Sequence, residues 1–253
     1  MIFCSKGKKL PNDILIKELL QSQYDLSVKL LDKSHENEMV ETTSDAFSED
    51  PMMQWIANIP ESNQDKIGSI LELNRWLNLG LNKSSLRQKK GVMFGVTEGG
   101  QMAGAMSVIP SSQQPLGLFS WILYVMFQGG VPPYEKNKAK YGKWAGKRIE
   151  SMDILTKKRK AIMKPYPKHI YLQQIGVRKE FQGKGIGKKL YKTLFAAADS
   201  LQVPVYLETE SEENVSLYQH FGFQTVETVL LSAKGDTSDE AKFKMWLMLR
   251  HPF

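Results

Sequence analysis

The stretch "GVRKEFQGKGIGKKLY" (residues 176–191) sets glycines 183, 185 and 187 among Arg178, Lys179, Lys184, Lys188 and Lys189. An alternating apolar segment, "HIYLQQIGV" (169–177), precedes it. Residues 186–200 follow with Ile186, Leu190, Leu194, Ala197 and Ala198 on one helical stripe. A basic, glycine-studded turn therefore joins a strand to a helix. Such a junction points a run of backbone N–H groups at the helix N-terminus, where the macrodipole and the unpaired donors favour an anion. Glycine there lets the backbone approach a bulky phosphate with no Cβ in the way. A glycine-rich turn can also be a plain connector, so the spacing has to discriminate.

Two familiar phosphate cradles fail on spacing. A dinucleotide fingerprint would need glycine at 188, where the chain has Lys188. A Walker A loop ending at Gly187-Lys188 would need glycine at 182 and Ser or Thr at 189, and the chain has Gln182 and Lys189. What remains is Q-x-x-G-x-G over 182–187.

Working outward, the chain of 253 residues has 42% apolar and 24% charged content, ordinary for one globular core or a core with an extension. Its single cysteine, Cys4, excludes an internal disulfide, and a cytoplasmic home, or else a nuclear one, is expected. The first residues contain no apolar core of signal-peptide length, so no secretory signal is expected. The longest apolar run, "LGLFSWILYVMF" (116–127), is shorter than a bilayer span and reads as a buried or interfacial element. The formal charge of +7 is concentrated in 136–168, where Trp144, Ile149, Met152, Leu155 and Ile162 recur at helical spacing. The lysines then line the outer face of a basic helix, and no specific nucleic-acid partner is expected. His35, His169, His220 and His251 are scattered, so no metal site is expected. No G-x-S-x-G supports a serine hydrolase.

Periodicity predicts helices at 13–24, from near His35, and at 64–87, the last with Ile67, Ile70, Leu71, Leu73, Leu77 and Leu81 inward. It predicts strands at 26–31, 169–177, 204–210, 223–231 and 242–249, a short helix at 213–221, and a hairpin over 91–110 turning at Gly99-Gly100. The fold class is mixed α/β around one sheet of six to seven strands flanked by helices, with parallel strands at 169–177 and 204–210. The expected division is a helical extension over 1–24 and one domain over 25–253, with 111–168 as a helical insertion.

Downstream, "ENVSLYQHFGF" (213–223) puts Asn214 and Tyr218 on one helical face before Gly222-Phe223. Together with Q-x-x-G-x-G this resembles the GNAT N-acetyltransferase superfamily. "YLQQIGV", "FQGKGIG", "PVYLET", "AFSEDP" (46–51) and "MWLMLRHP" (245–252) are most similar to its puromycin N-acetyltransferase-like, small-molecule branch. The resemblance implies that strands 169–177 and 204–210 splay apart, and that the chain transfers acetyl from acetyl-CoA to an amine. It implies that main-chain groups of Ile175, Gly176 and Val177 pair with the pantetheine arm. Gln182, Gly183, Lys184, Gly185, Ile186, Gly187 and Lys188 would hold the pyrophosphate, Asn214 would touch the arm, and Tyr218 would protonate the leaving thiolate. Residues 111–168 would shape the acceptor side. Alternation along 204–210 puts Tyr206, Glu208 and Glu210 on one face, and Glu208 is the expected base, directly or through water, with Glu210 and an ordered water as alternatives. The strand before it offers Gln173 and Gln174, and glutamine cannot be a base. A peptide acetyltransferase and a quiet CoA- or nucleic-acid-binding module are the competing readings.

Overall fold

Residues 8–22, 25, 27–87, 91–113, 127, 130–238 and 240–253 are described by a computed structural model. The helices are α1 (Asn12–Gln21), α2 (Glu36–Ala46), α3 (Pro51–Ala57), α4 (Lys66–Arg87), α5 (Pro133–Lys136), α6 (Ala145–Ser151), α7 (Asp153–Ile162), α8 (Ile186–Ser200) and α9 (Glu212–His220). The strands are β1 (Val28–Leu30), β2 (Val92–Glu98), β3 (Gln101–Pro110), β4 (Ile170–Val177), β5 (Val205–Thr209), β6 (Gln224–Ser232) and β7 (Lys242–Arg250). They form one seven-stranded sheet in the order β1-β2-β3-β4-β5-β7-β6, in which β4 and β5 are parallel and every other pair is antiparallel. Among the described residues, no helix is long and apolar enough to cross a membrane.

The alternation that marks the strands also sorts the core into two layers. Val92, Phe94, Ile170, Leu172, Val205 and Leu207 face a layer containing Leu15 and Leu19 of α1 and Leu190 and Leu194 of α8. Tyr171, Tyr206, Leu247 and Leu249 face the other way, onto Trp55 of α3, Leu73 and Leu77 of α4, Ile149 of α6 and Leu155 of α7. Each fully buried leucine contributes about 1.5–3 kcal/mol. The extension expected at 1–24 thus supplies α1, which packs into the same layer as α8. The hairpin turns through Gly99 and Gly100 at φ of +60° and +83°, as its sequence requires.

Two expectations change. In place of a single basic helix over 136–168 the chain forms α6 and α7, with α5 ending at Lys136. Gly142 donates its N–H to the Ala57 carbonyl at 3.0 Å, which takes the chain out of helical register, and Met152 ends α6 while capping α7. On α4, Ile67 is 69% exposed, whereas Asn74, Asn78 and Asn82 are buried. Asn74 donates to the Phe47 carbonyl at 2.7 Å, so this face of α4 recognises α2 by hydrogen bonds as well as by packing. Cys4 and the apolar run as far as Met126 lie outside the described residues.

Candidate active site

β4 and β5 pair only at Ile170↔Val205 and Tyr171↔Tyr206, although both strands run on. A bulge at the same level, where Ser107 pairs with Gln174 and Val108 with Leu172, leaves Gln173 as the extra residue and bends β4 away. Beyond this apex Ile175, Gly176 and Val177 pair with β3 on one side only. Their other edge opens onto a cleft of about 980 Å³, also lined by Gln182, Gly183, Gly187, Glu208, Glu210, Asn214 and Tyr218. At Gly176 a Cβ would stand 2.8 Å from the Ala46 Cβ, so glycine lets α2 lie against the open strand. Gln182 braces the corner by donating to the Val177 carbonyl at 3.1 Å.

Gly183 and Gly185 take φ of +75° and +79°, and a Cβ on either would meet nothing within 4 Å. The glycines are thus required by backbone conformation, and the space above them is free for a ligand. Gly185 caps α8, and it brings no side-chain hydrogen bond to that end. The first-turn N–H groups therefore face outward with the positive end of the dipole. Lys184 and Lys188 are exposed beside the turn, and Ile186 is buried beneath it. Lys189, another base of this turn, is committed elsewhere: its Nζ lies 3.2 Å from Asp25 and 3.4 Å from Glu98.

Ser211 caps the start of α9, its Oγ accepting from the Asn214 N–H at 3.1 Å. One turn on, Tyr218 is buried beside the cleft, and burial, aided by the Glu210 charge, pushes its hydroxyl up to about 12. Asn214 Nδ2 donates to Glu210 Oε1 at 2.9 Å. Glu210 also meets Asp50, hydrogen-bonded side chain to side chain. Burial, then the Asp50 charge, pushes Glu210 up to about 8, and burial raises Asp50 as well. Two carboxyl groups in hydrogen-bond contact hold one proton between them near neutral pH.

Residues 154–223, which include this strand, turn and helix, match the acetyltransferase (GNAT) family. That segment carries the GNAT likeness. The chain is 33% identical over 104 residues to an uncharacterized N-acetyltransferase of Schizosaccharomyces pombe, a match spanning 41% of this chain and 40% of the relative. Among solved structures, a Drosophila melanogaster polyamine N-acetyltransferase superposes with a TM-score of 0.54 at 16% identity, covering 88% of this chain and 98% of that one. A Corynebacterium glutamicum protein described as a histone acetyltransferase and related acetyltransferase gives 0.51 at 17%, covering 89% and 96%. At these identities the likeness concerns the fold alone: a mixed sheet flanked by helices, the acetyltransferase fold.

Within the GNAT segment, Glu208 meets a different setting from the one its sequence suggests. Its Oε1 accepts from Arg159 Nη1 at 3.0 Å and from the Tyr206 hydroxyl at 3.1 Å, and its Oε2 accepts from the Tyr171 hydroxyl at 2.8 Å. The Arg159 guanidinium lies 4.2 Å from the Tyr171 ring centroid, and both ion-pair side chains are 10% exposed. Both oxygens of this carboxylate are thus engaged, by three donors of which one is a cation. Glu210 and Asp50 also face the cleft, as a hydrogen-bonded carboxyl pair. Asp50 was legible only as a helix start: Asp before Pro51 is an N-cap signal, and its carboxylate does accept from the Met53 N–H at 3.0 Å. Arg159 carries no sequence signal that separates it from the lysines around it.

Proposed function

We propose that the protein is an acetyl-CoA-dependent N-acetyltransferase whose acceptor is a small cationic amine, attacking the thioester directly. The observation that carries this reading is the convergence, on one cleft, of an open strand edge, a glycine-formed helix N-terminus, a buried tyrosine and a carboxyl pair. The strand edge and the cradle fit a nucleotide-bearing thioester: the amide edge of Ile175–Val177 takes an extended amide arm, and the N-terminus of α8 takes a pyrophosphate. Acetyl-CoA supplies the activated acetyl group. The protein's part is to hold the reacting carbonyl near the amine and to move two protons.

The Asp50–Glu210 pair accepts the proton of the incoming ammonium, which replaces Glu208 as the base. Tyr218 donates its proton to the departing sulfur. The acceptor's charge follows from the lining: among the described residues Glu49, Asp50, Asp153, Glu208, Glu210 and Glu213 face the cleft against one cation, Arg159, in a chain of formal charge +7. Glu49 and Asp153 have exposed lysine partners, so the carboxyl pair is the natural seat for an ammonium. Met53, Ile56, Ile149, Met152 and Leu155 offer an apolar wall for the rest of the molecule.

The test is thiol release from acetyl-CoA with a panel of polyamines, arylalkylamines, aminonucleosides and basic peptides. Turnover is expected with small amines, and Tyr218→Phe is expected to lower kcat about 10²–10⁴-fold with little change in acetyl-CoA affinity. Turnover of peptides alone would move the reading to a peptide acetyltransferase. Acetyl-CoA binding with no turnover of any amine would leave a binding module.

A further inference from the structure

We propose that Tyr191 is a positioning residue that holds the Tyr218 hydroxyl as a proton donor toward the cleft, an inference that rests on the acetyl-transfer reading above. Tyr191 and Tyr218 both line the cleft, and the Tyr191 hydroxyl donates to the Tyr218 oxygen at 3.2 Å in a buried contact. An oxygen that accepts this bond keeps its own proton for another partner, and among the described residues no acceptor takes it. The Tyr191 ring has little freedom. It stands edge-on to Tyr218 at 5.9 Å, stacks on Phe195 at 5.7 Å and leans on Phe221 at 4.9 Å. Tyr191 sits on α8, whose first turn forms the cradle, so the same helix that would seat the anion also aims the acid.

The chemistry gives this contact a use. When the carbonyl carbon–sulfur bond breaks, its electron pair goes to sulfur and the Tyr218 proton follows, leaving a phenolate. Burial and the nearby Glu210 charge both oppose that phenolate, and the bond donated by Tyr191 is the contact that favours it. Tyr191 keeps its own proton, since burial holds its hydroxyl well above the ordinary range. The carboxyl pair takes one proton from the ammonium before attack; once the carbon–nitrogen bond has formed, the nitrogen gives up a second proton, which restores Tyr218, and the proton on the pair passes to water. This is the orienting role of a third residue behind a proton carrier.

The experiment is a double-mutant cycle of Tyr191→Phe and Tyr218→Phe, read by single-turnover kinetics, together with titration of a Tyr218 Cζ isotope label in the free protein. Tyr191→Phe is expected to lower the chemical rate about ten- to a hundredfold, the worth of a hydrogen bond to a developing charge. It should have no further effect in the Tyr218→Phe background, and it should move the Tyr218 titration upward. A ring-fluorinated tyrosine at 191, which keeps the packing and strengthens the donor, should move that titration downward. Equal losses from Tyr191→Phe in both backgrounds, or a Tyr218 titration indifferent to both changes at 191, would overturn the positioning role. Wild-type turnover by Tyr218→Phe when chemistry limits the rate is a separate result. It would remove the acid reading itself, and this proposal with it.

Discussion

Glu208 on β5 and Glu210 just past its end stand two residues apart, yet they have opposite environments. Alternation assigns the face but cannot name the partners that other elements bring to it. Arg159 arrives from α7 and neutralises Glu208, whereas Asp50 arrives before α3 and disfavours the charge of Glu210. The folded-state pKa of Glu210, about 8, lies above its ordinary 4.5, so the native state keeps a proton that the unfolded chain has lost. Stability supplied by this group therefore falls as pH rises from about 4.5 to about 8. If the pair is the base, kcat/KM rises as pH passes through about 8 and then levels. Glu210→Gln should abolish that limb and lower activity about 10²–10⁴-fold, while raising the Tm at pH 9. Glu208→Gln should keep the limb. Paired pH–rate profiles and thermal melts check this, and a limb that survives Glu210→Gln would return the base to another group. At Gly185 the sequence was more telling, because a φ of +79° and open space above it match what the turn implied. Gly185→Val should weaken acetyl-CoA binding, read by calorimetry, in a protein that still folds.

α7 shows what an element owes to one side chain. Its outer lysines gave the helix away, but its polar contact with the sheet is made by Arg159, which looks like any other base in "TKKRK". Arg159 reaches the apex where β4 and β5 part and bridges Tyr171 and Glu208 across it. Strands, the hairpin turn and α8 could be read from period and glycine placement. The break of 136–168 could not, because it follows from the bond Gly142 makes to the Ala57 carbonyl, far away in sequence. Arg159→Ala would leave a buried carboxylate without its cation, at a cost of about 3–5 kcal/mol. Adding Glu208→Gln should recover part of that loss, since the two residues act as one unit. Denaturant unfolding of the two single variants and the double variant measures the coupling. In the same proteins acceptor KM should rise more than acetyl-CoA KM, because α7 walls the cleft away from the cradle.

Across the whole molecule, the layer carrying α3 and α6 is fastened to the far end of the sheet by one buried ion pair. Arg148 and Asp236 are 2.8 Å apart with both side chains 0% exposed. Arg148 also donates to the Trp55 carbonyl at 2.6 Å and to Ser238 Oγ at 3.1 Å, and its guanidinium lies 5.0 Å from the Trp55 ring centroid. Trp55 Nε1 in turn donates to the Glu240 carbonyl at 2.8 Å, so α3, α6 and the β6–β7 loop close on one another. Burial opposes the Asp236 charge, but hydrogen bonds from Ser238 and the Arg148 guanidinium outweigh it and hold the carboxyl below its usual range. The stability it supplies is present above the ordinary value of 3.8 and is lost as pH falls through the depressed one. Because α3 begins at Asp50, this fastening also sets one half of the carboxyl pair in the cleft. Asp236→Ala leaves a buried guanidinium unpaired and should cost about 3–5 kcal/mol, whereas Arg148→Met with Asp236→Leu should be near neutral in stability. The double variant then separates two roles of the same contact. If the pair only holds the layer together, the double variant keeps wild-type acceptor KM and pH profile. If the pair also sets the position of α3, the stable double variant should show a raised acceptor KM and a shifted limb near pH 8, with acetyl-CoA affinity unchanged.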